Sequence, residues 1–444
     1  MPFDPVPLVS TACRALGAWR TTSRFRKRQL LQAWLRHYGA AADSLARALT
    51  EETGKPITLA RGEVGRGIAT LEATLEALGT FGETAVPYDL MAGADGCRAT
   101  LKRRPKGVVL AITPFNFPVN LALHKLAPAL AAGCSVLWKP CPQAPRTSRL
   151  LEESFEAARS EAGAPAGLLQ LVQVEPAEAE LLARHPDVPV VTFTGSERVG
   201  LHLRGLLPHK TLILELGGNA PVLVDAGVDA APAARQLAPA AVAAAGQSCC
   251  KAQRFYIHQE LWEAFSAAFV AAVQALPCGD PLDPKTVVGP LIDEATAQRL
   301  DAALDRAAGD GATFLLRGER KGALLPPAIL SNLPDEDPLQ CEELFGPISI
   351  LNRVATFEEG LRRAAATRFG LRASIYSRDL GHLRQGEAAF RAGTLLQNLP
   401  PTFRLDAAPF GGLGASGQGL EGPRWALESF TEPTLVVEGP PVEG

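Results

Sequence analysis

The sequence predicts an α/β protein built on a parallel sheet covered by helices. Three observations carry that prediction. Short, nearly all-apolar runs recur, beginning with Gly107-Val108-Val109-Leu110-Ala111-Ile112, as buried parallel strands require. Stretches with helical periodicity alternate with these runs. The chain has 444 residues, 47% of them hydrophobic and 20% charged, enough for two or three folded cores.

Taken in order, residues from about 24 to 84 read as helical, opening with Arg24-Phe25-Arg26-Lys27-Arg28-Gln29-Leu30-Leu31 and punctuated at Gly54-Lys55-Pro56. From Val86 to Pro105 the pattern is a loop-rich ribbon with Gly93, Gly96 and the basic run Lys102-Arg103-Arg104. The strand at 107–112 leads to a helix over about 118–131. A strand at 135–139 and a helix over 147–162 follow, then strands at 169–174, 190–194 and 212–215. A second α/β segment runs from about Gly217 to Gln397, with an Ala-rich helix from Ala230 to Ala245. The tail 434–438 reads as an isolated edge strand suited to pairing with another subunit.

Bulk charge narrows the function. A net charge of −3 argues against nucleic acid or an acidic membrane as the main partner. The start, Met1-Pro2-Phe3-Asp4-Pro5, lacks a basic segment followed by an apolar run, and the longest apolar stretches are broken by Pro128 and Gly133. A cytoplasmic protein with reduced thiols is the expectation. The eight cysteines show no metal-ligand spacing, so no metal is expected.

The chemistry concentrates in a few segments. Gly246-Gln247-Ser248-Cys249-Cys250 offers a thiol after a small turn, and Glu215 ends a strand upstream of it. A thiolate attacks carbonyls, and a mobile carboxylate activates the water that releases the product. In Thr113-Pro114-Phe115-Asn116-Phe117-Pro118, prolines fix an amide that suits a developing oxyanion, or equally a turn asparagine stabilising its own loop. Phe193-Thr194-Gly195-Ser196 ends a strand and opens a helix, where glycine lets a phosphate reach the backbone amides; a plain strand–helix turn reads the same way. Lys139, at a strand end, reads as a phosphate or ribose contact or as a solvated lysine. Glu343, in Glu342-Glu343-Leu344-Phe345-Gly346-Pro347, reads as a ribose-gripping carboxylate or as part of a surface loop. The run Pro409 to Gly422 is a connector or a further piece of the site.

Together these motifs, in this order, resemble the aldehyde dehydrogenase superfamily over nearly the whole chain. The spacing agrees: 99 residues separate Asn116 from Glu215, and 34 separate Glu215 from Cys249. The resemblance implies a Rossmann-like NAD(P)-binding domain over 1–86 and 106–215 and a catalytic α/β domain over 216–415. It also implies an oligomerisation ribbon and C-terminal tail over 87–105 and 416–444. It assigns Cys249 as nucleophile, Asn116 with the Cys249 amide as oxyanion donors, and Glu215 as general base. Lys139, Gly195, Ser196, Glu343, Phe345, Thr113 and Phe115 become cofactor contacts. The substrate is then an aldehyde, oxidised to a carboxylic acid by way of a thiohemiacetal and a thioester, in a homodimer or homotetramer. The alternatives are a cofactor-free cysteine hydrolase, a CoA-acylating relative and a non-enzymatic use of the fold.

One departure from the family pattern matters. Pro142 stands three residues after Lys139, where NAD-preferring members often carry a glutamate. NAD and NADP both remain open, with a lean to NAD. Asn120, His124, Ser248, Cys250, Phe403 and Phe410 are expected to line the substrate tunnel. The segment Thr402 to Asp406 resembles members acting on small hydroxylated, anionic or semialdehyde substrates, with Arg404 holding an anionic tail. The competing expectation is a surface Arg404 paired with Asp406.

Overall fold

The computed structural model describes residues 3–440. Its centre is two mostly parallel sheets. The first has six strands in the order 417–418, 211–215, 190–194, 108–112, 135–139 and 169–171, all parallel except 417–418. The second has seven, in the order 313–316, 328–331, 348–354, 252–258, 220–224, 372–376 and 394–397, with only 313–316 antiparallel. Val108, Val109, Leu110 and Ala111 are completely buried, which is why this strand reads as one apolar run.

Helices cover both faces of the first sheet. Helix Asn120–Ala132 is buried along its entire length, between the sheet and helices Arg24–Ala40 and Ile57–Thr80. It ends at Gly133, whose φ of 100° no side chain adopts comfortably and whose absent Cβ leaves room for Lys27. The helical region expected from residue 24 begins earlier, with helix Val6–Trp19. Pro5 and Pro7 hid that start, and Pro5 gives no side-chain cap; the helix is held by Val9, Ala12, Ala15 and Trp19, all buried.

The ribbon is a three-stranded antiparallel sheet in the order 84–86, 98–105 and 431–438. Here the expectation of an isolated tail strand is corrected. Residues 431–438 pair along their full length with 98–105 of the same chain, and only their outer edge is open. Residues 417–418, expected with the tail, instead join the first sheet opposite Leu214 and Glu215. The two N-terminal and four C-terminal residues of the expected units lie outside the described residues. No helix among them is long and apolar enough to cross a membrane, and they hold no cluster of potential metal ligands.

Candidate active site

The thiol loop is shaped by an unusual turn. Helix Ala230–Val242 gives way to Ala244, Ala245 and Gly246, all at positive φ (52°, 55° and 65°). Two alanines in this region store strain, which surrounding contacts must hold. A Cβ on Gly246 would lie 2.3 Å from the Gly346 carbonyl. Lys251 Nζ donates to that same carbonyl at 2.9 Å and to the Ile348 carbonyl at 2.8 Å. Burial pushes Lys251 down to about 7, against the pull of Glu343. Sequence reasoning missed this lysine, whose only signal was its place next to the two cysteines.

Cys249 Sγ and Cys250 Sγ are 3.8 Å apart. Cys250 is drawn down to about 6 by the hydrogen bond from Cys249, which together with Arg372, Arg404 and Arg66 outweighs burial. Cys249 is pushed up by that hydrogen bond, by burial and by the nearby charges of Cys250, Glu343 and Glu215. The pair therefore favours one negative charge, resting towards the arginines.

Asn116 is buried beside this loop, its Nδ2 donating to the Gln247 carbonyl at 3.1 Å. One of its two amide hydrogens is used there, leaving the other for a ligand. Two residues from helix Ile57–Thr80 and the turn before it fix the asparagine segment. Lys55 Nζ donates to the Asn116 carbonyl at 2.5 Å and pairs with Glu63. Glu63 accepts the backbone N–H groups of Val119 and Asn120, satisfying the start of the next helix. Neither residue stood out in the sequence.

Glu215 ends its strand with the carboxyl buried and both oxygens lacking a partner among the described residues. Burial, then the neighbouring Glu421 carboxylate, push its pKa well up. Glu421 is paired with Lys125, itself buried. This second carboxylate lies in the glycine-rich run whose bland reading was a connector. Its Phe410 and Glu421 exchange backbone hydrogen bonds, so the run is ordered wall rather than linker.

Glu215, Ser248, Cys249, Cys250, Asn120, Arg404 and Phe410 line one cavity of about 450 Å³. Two expectations fail here. Phe403 is 55% exposed and is not among the lining residues, because its backbone carbonyl, not its ring, faces inward to Arg372. His124 is fully buried behind the wall, held down to about 4 by burial and then by Arg404. The surface reading of Arg404 is also corrected: its side chain is only 10% exposed, stacked 4.0 Å over the Phe410 ring. Beside it, unforeseen, stands Arg66 from helix Ile57–Thr80.

A second cavity of about 560 Å³ opens at the carboxyl ends of the first sheet, lined by Ile112, Lys139, Phe193, Arg198 and Val199 among others. Apolar walls with two cations suit a nucleotide. Gly195 N–H is bonded to the Glu215 carbonyl, and Ser196 caps helix Glu197–Leu206, accepting from Val199 N–H. Glu343 Oε1 accepts from Gly218 N–H at 2.9 Å, and burial raises Glu343 to about 7. Phe345, at φ 50°, meets Phe115 edge to face at 5.9 Å. Thr113 Oγ1 accepts from the Trp138 indole at 3.0 Å and is thereby committed to the protein.

A nucleotide-sized cleft at the strand ends of one α/β sheet, beside a cavity holding two thiols and a buried carboxyl, defines a dehydrogenase-type α/β enzyme. The chain belongs to the aldehyde dehydrogenase family, whose profile matches residues 7–436. It is an oxidoreductase of the aldehyde group. It is 36% identical to the 3-sulfolactaldehyde dehydrogenase of Priestia megaterium, over 89% of this chain and 82% of that one. Among solved structures, aldehyde dehydrogenase 21 from Physcomitrella patens, in complex with the reaction product succinate, superposes with a TM-score of 0.93. It is 31% identical and covers 97% of this chain and 89% of its own. The NADP complex of glyceraldehyde-3-phosphate dehydrogenase from Methanocaldococcus jannaschii gives 0.94 at 29% identity, covering 98% and 94%.

Proposed function

We propose that the protein oxidises a small aldehyde carrying an anionic group to the carboxylic acid, using NAD or NADP and a covalent thioester on Cys249. The observation that carries this reading is a single cavity in which Cys249 and Glu215 share walls with Arg66 and Arg404. The named relatives act on a sulfonated aldehyde in one case and yield a dicarboxylate in another, which supports an anionic substrate.

The chain's own groups account for the protein's share of the work. Cys249 Sγ bonds to the aldehyde carbon. The free Asn116 N–H and the Cys249 backbone N–H donate to the oxygen as it becomes an oxyanion. A nicotinamide, when bound, supplies a two-electron hydride acceptor. Lys139, Ser196 and Glu343 are the residues that would hold it. Glu215, in its ionised form, takes a proton from the water that cleaves the Cys249 thioester. Arg66 and Arg404 grip the anionic end and hold the carbonyl towards Cys249.

The test is formation of reduced NAD or NADP with short neutral, hydroxylated and anionic aldehydes, run beside Cys249→Ser. Turnover of anionic aldehydes that vanishes in the variant is the expected result. Turnover that survives Cys249→Ser would overturn the assignment of the nucleophile.

A further inference from the structure

A single carboxylate organises the arginine end of the cavity. Asp406 is buried and lies between three segments of the fold. Arg66 Nε and Nη2 donate to its two oxygens at 2.9 and 2.8 Å, a fork-to-fork pair. Asn120 Nδ2 donates to Asp406 Oδ1 at 3.0 Å, and Thr70 Oγ1 donates to the side-chain Oδ1 of Asn120 at 2.9 Å. His124 Nε2 is 2.9 Å from the same Oδ1, and Arg404 Nε is 3.7 Å from it. Burial alone would raise Asp406, but hydrogen bonds from His124 and Arg66 hold it below the ordinary carboxylate range.

With His124 held neutral, Asp406 is one carboxylate shared between two guanidiniums, which also face the charge of the thiol pair across the cavity. The pairing also decides which hydrogens are free. Asp406 occupies Nε and Nη2 of Arg66, so Nη1 has no protein partner among the described residues. Arg404 donates Nη2 to His124 Nε2 at 3.0 Å, and its Nε is buried without a bond. His124 Nε2 also lies 3.3 Å from Thr70 Oγ1: with a hydrogen it donates to Asp406 or Thr70, and without one it accepts from Arg404. An anion that draws Arg404 off His124 leaves the imidazole free to hold Asp406.

We infer that Asp406 is the positioning residue for anion selectivity: it aims the free edge of Arg66 and keeps Arg404 within reach, so that the cavity prefers an aldehyde with a carboxylate, sulfonate or phosphonate tail. The inference rests on the anionic-substrate reading above and adds the residue that sets it.

The experiment compares 4-oxobutanoate with its neutral amide, 4-oxobutanamide, in the wild-type enzyme, Asp406→Asn and Asp406→Glu. The readout is the ratio of KM for the amide to KM for the anion. The wild type favours the anion, and Asp406→Asn lowers the ratio roughly tenfold through the anion's KM, as expected for a lost charged hydrogen-bond partner. Asp406→Glu retains the charge and gives an intermediate ratio; it decides the question if the asparagine variant does not fold. A wild type indifferent to tail charge overturns the anionic-substrate reading itself. A selective wild type whose ratio survives both substitutions overturns only the role of Asp406. A loss of kcat that is equal for both substrates, with the ratio unchanged, reduces Asp406 to a structural part and also overturns that role.

Discussion

Two residues govern how the chemistry responds to pH. Glu215 has no partner for its carboxylate among the described residues, and its pKa is raised by burial and by Glu421. The base form therefore accumulates only as pH rises, and kcat should climb with pH on its acidic limb. Glu215→Gln should abolish that limb and cost roughly 10²- to 10⁴-fold in turnover. The same shift bears on stability. A raised folded pKa gives a contribution that is full below the unfolded value near 4.5 and is lost as pH rises through the folded value. Calorimetry should accordingly find Glu215→Gln gaining Tm over the wild type as pH is raised from 5 to 9; a constant difference would contradict the buried, unpartnered state. For the thiols, Cys250→Ala removes both the hydrogen bond and the like charge that raise Cys249. Iodoacetamide should then alkylate Cys249 at lower pH than in the parent, and an upward move would reverse the assignment of the shared charge.

Among the elements, the strands were the most legible part of the sequence. Runs such as 108–112 and 190–194 are buried on both faces, and an apolar run of that length has few other uses. Cys249 and Glu215 announced themselves as chemistry in local motifs, whereas Arg404 read equally as a surface residue; the structure places all three on one cavity. What stayed hidden was polar and long-range. Arg66 lies 340 positions from Asp406 and Lys125 lies 296 from Glu421, so no local pattern marks either pair. Phe403 was misplaced because an aromatic in a site-bordering loop reads the same whether its ring faces in or out. The junction of Gly246, Lys251 and Gly346 joins two loops in the same way, and it carries a prediction. Lys251→Met would leave the Gly346 and Ile348 carbonyls without their donor, costing about 1–3 kcal/mol for each one left unpaired. Denaturant melts should show the loss, and an unchanged midpoint would mean that water replaces the ammonium.

The two cavities share no lining residue, so cofactor and substrate choice are expected to vary independently. Lys139 and Arg198 line the nucleotide cleft beside the Glu180 carboxylate, which is paired with His202. Arg198 is the cation there whose reversal separates the two cofactors. Arg198→Glu is therefore expected to lower kcat/KM for NADP about tenfold, a rim-charge effect, while leaving the NAD value nearly intact. Equal losses for both cofactors would rule out recognition of that phosphate. The ribbon offers a second molecular-scale expectation. Leu435 and Val437 are exposed on the outermost strand, beside an open edge, as an assembly surface would require. Sedimentation should find a homodimer or homotetramer that Leu435→Asp weakens.

The short strand 417–418, which closes the first sheet against Leu214 and Glu215, also sets a timetable. During synthesis the nucleophile leaves the ribosome well before the segment that completes its surroundings, because Glu421, Phe410 and Asp406 all come late in the chain. The half-made protein thus carries a thiol pair with neither its charged wall nor its second carboxylate. Such distant closures slow folding, and here they also postpone reactivity. A newborn chain cut short between residues 250 and 417 would have its thiol pair but no finished place to use it.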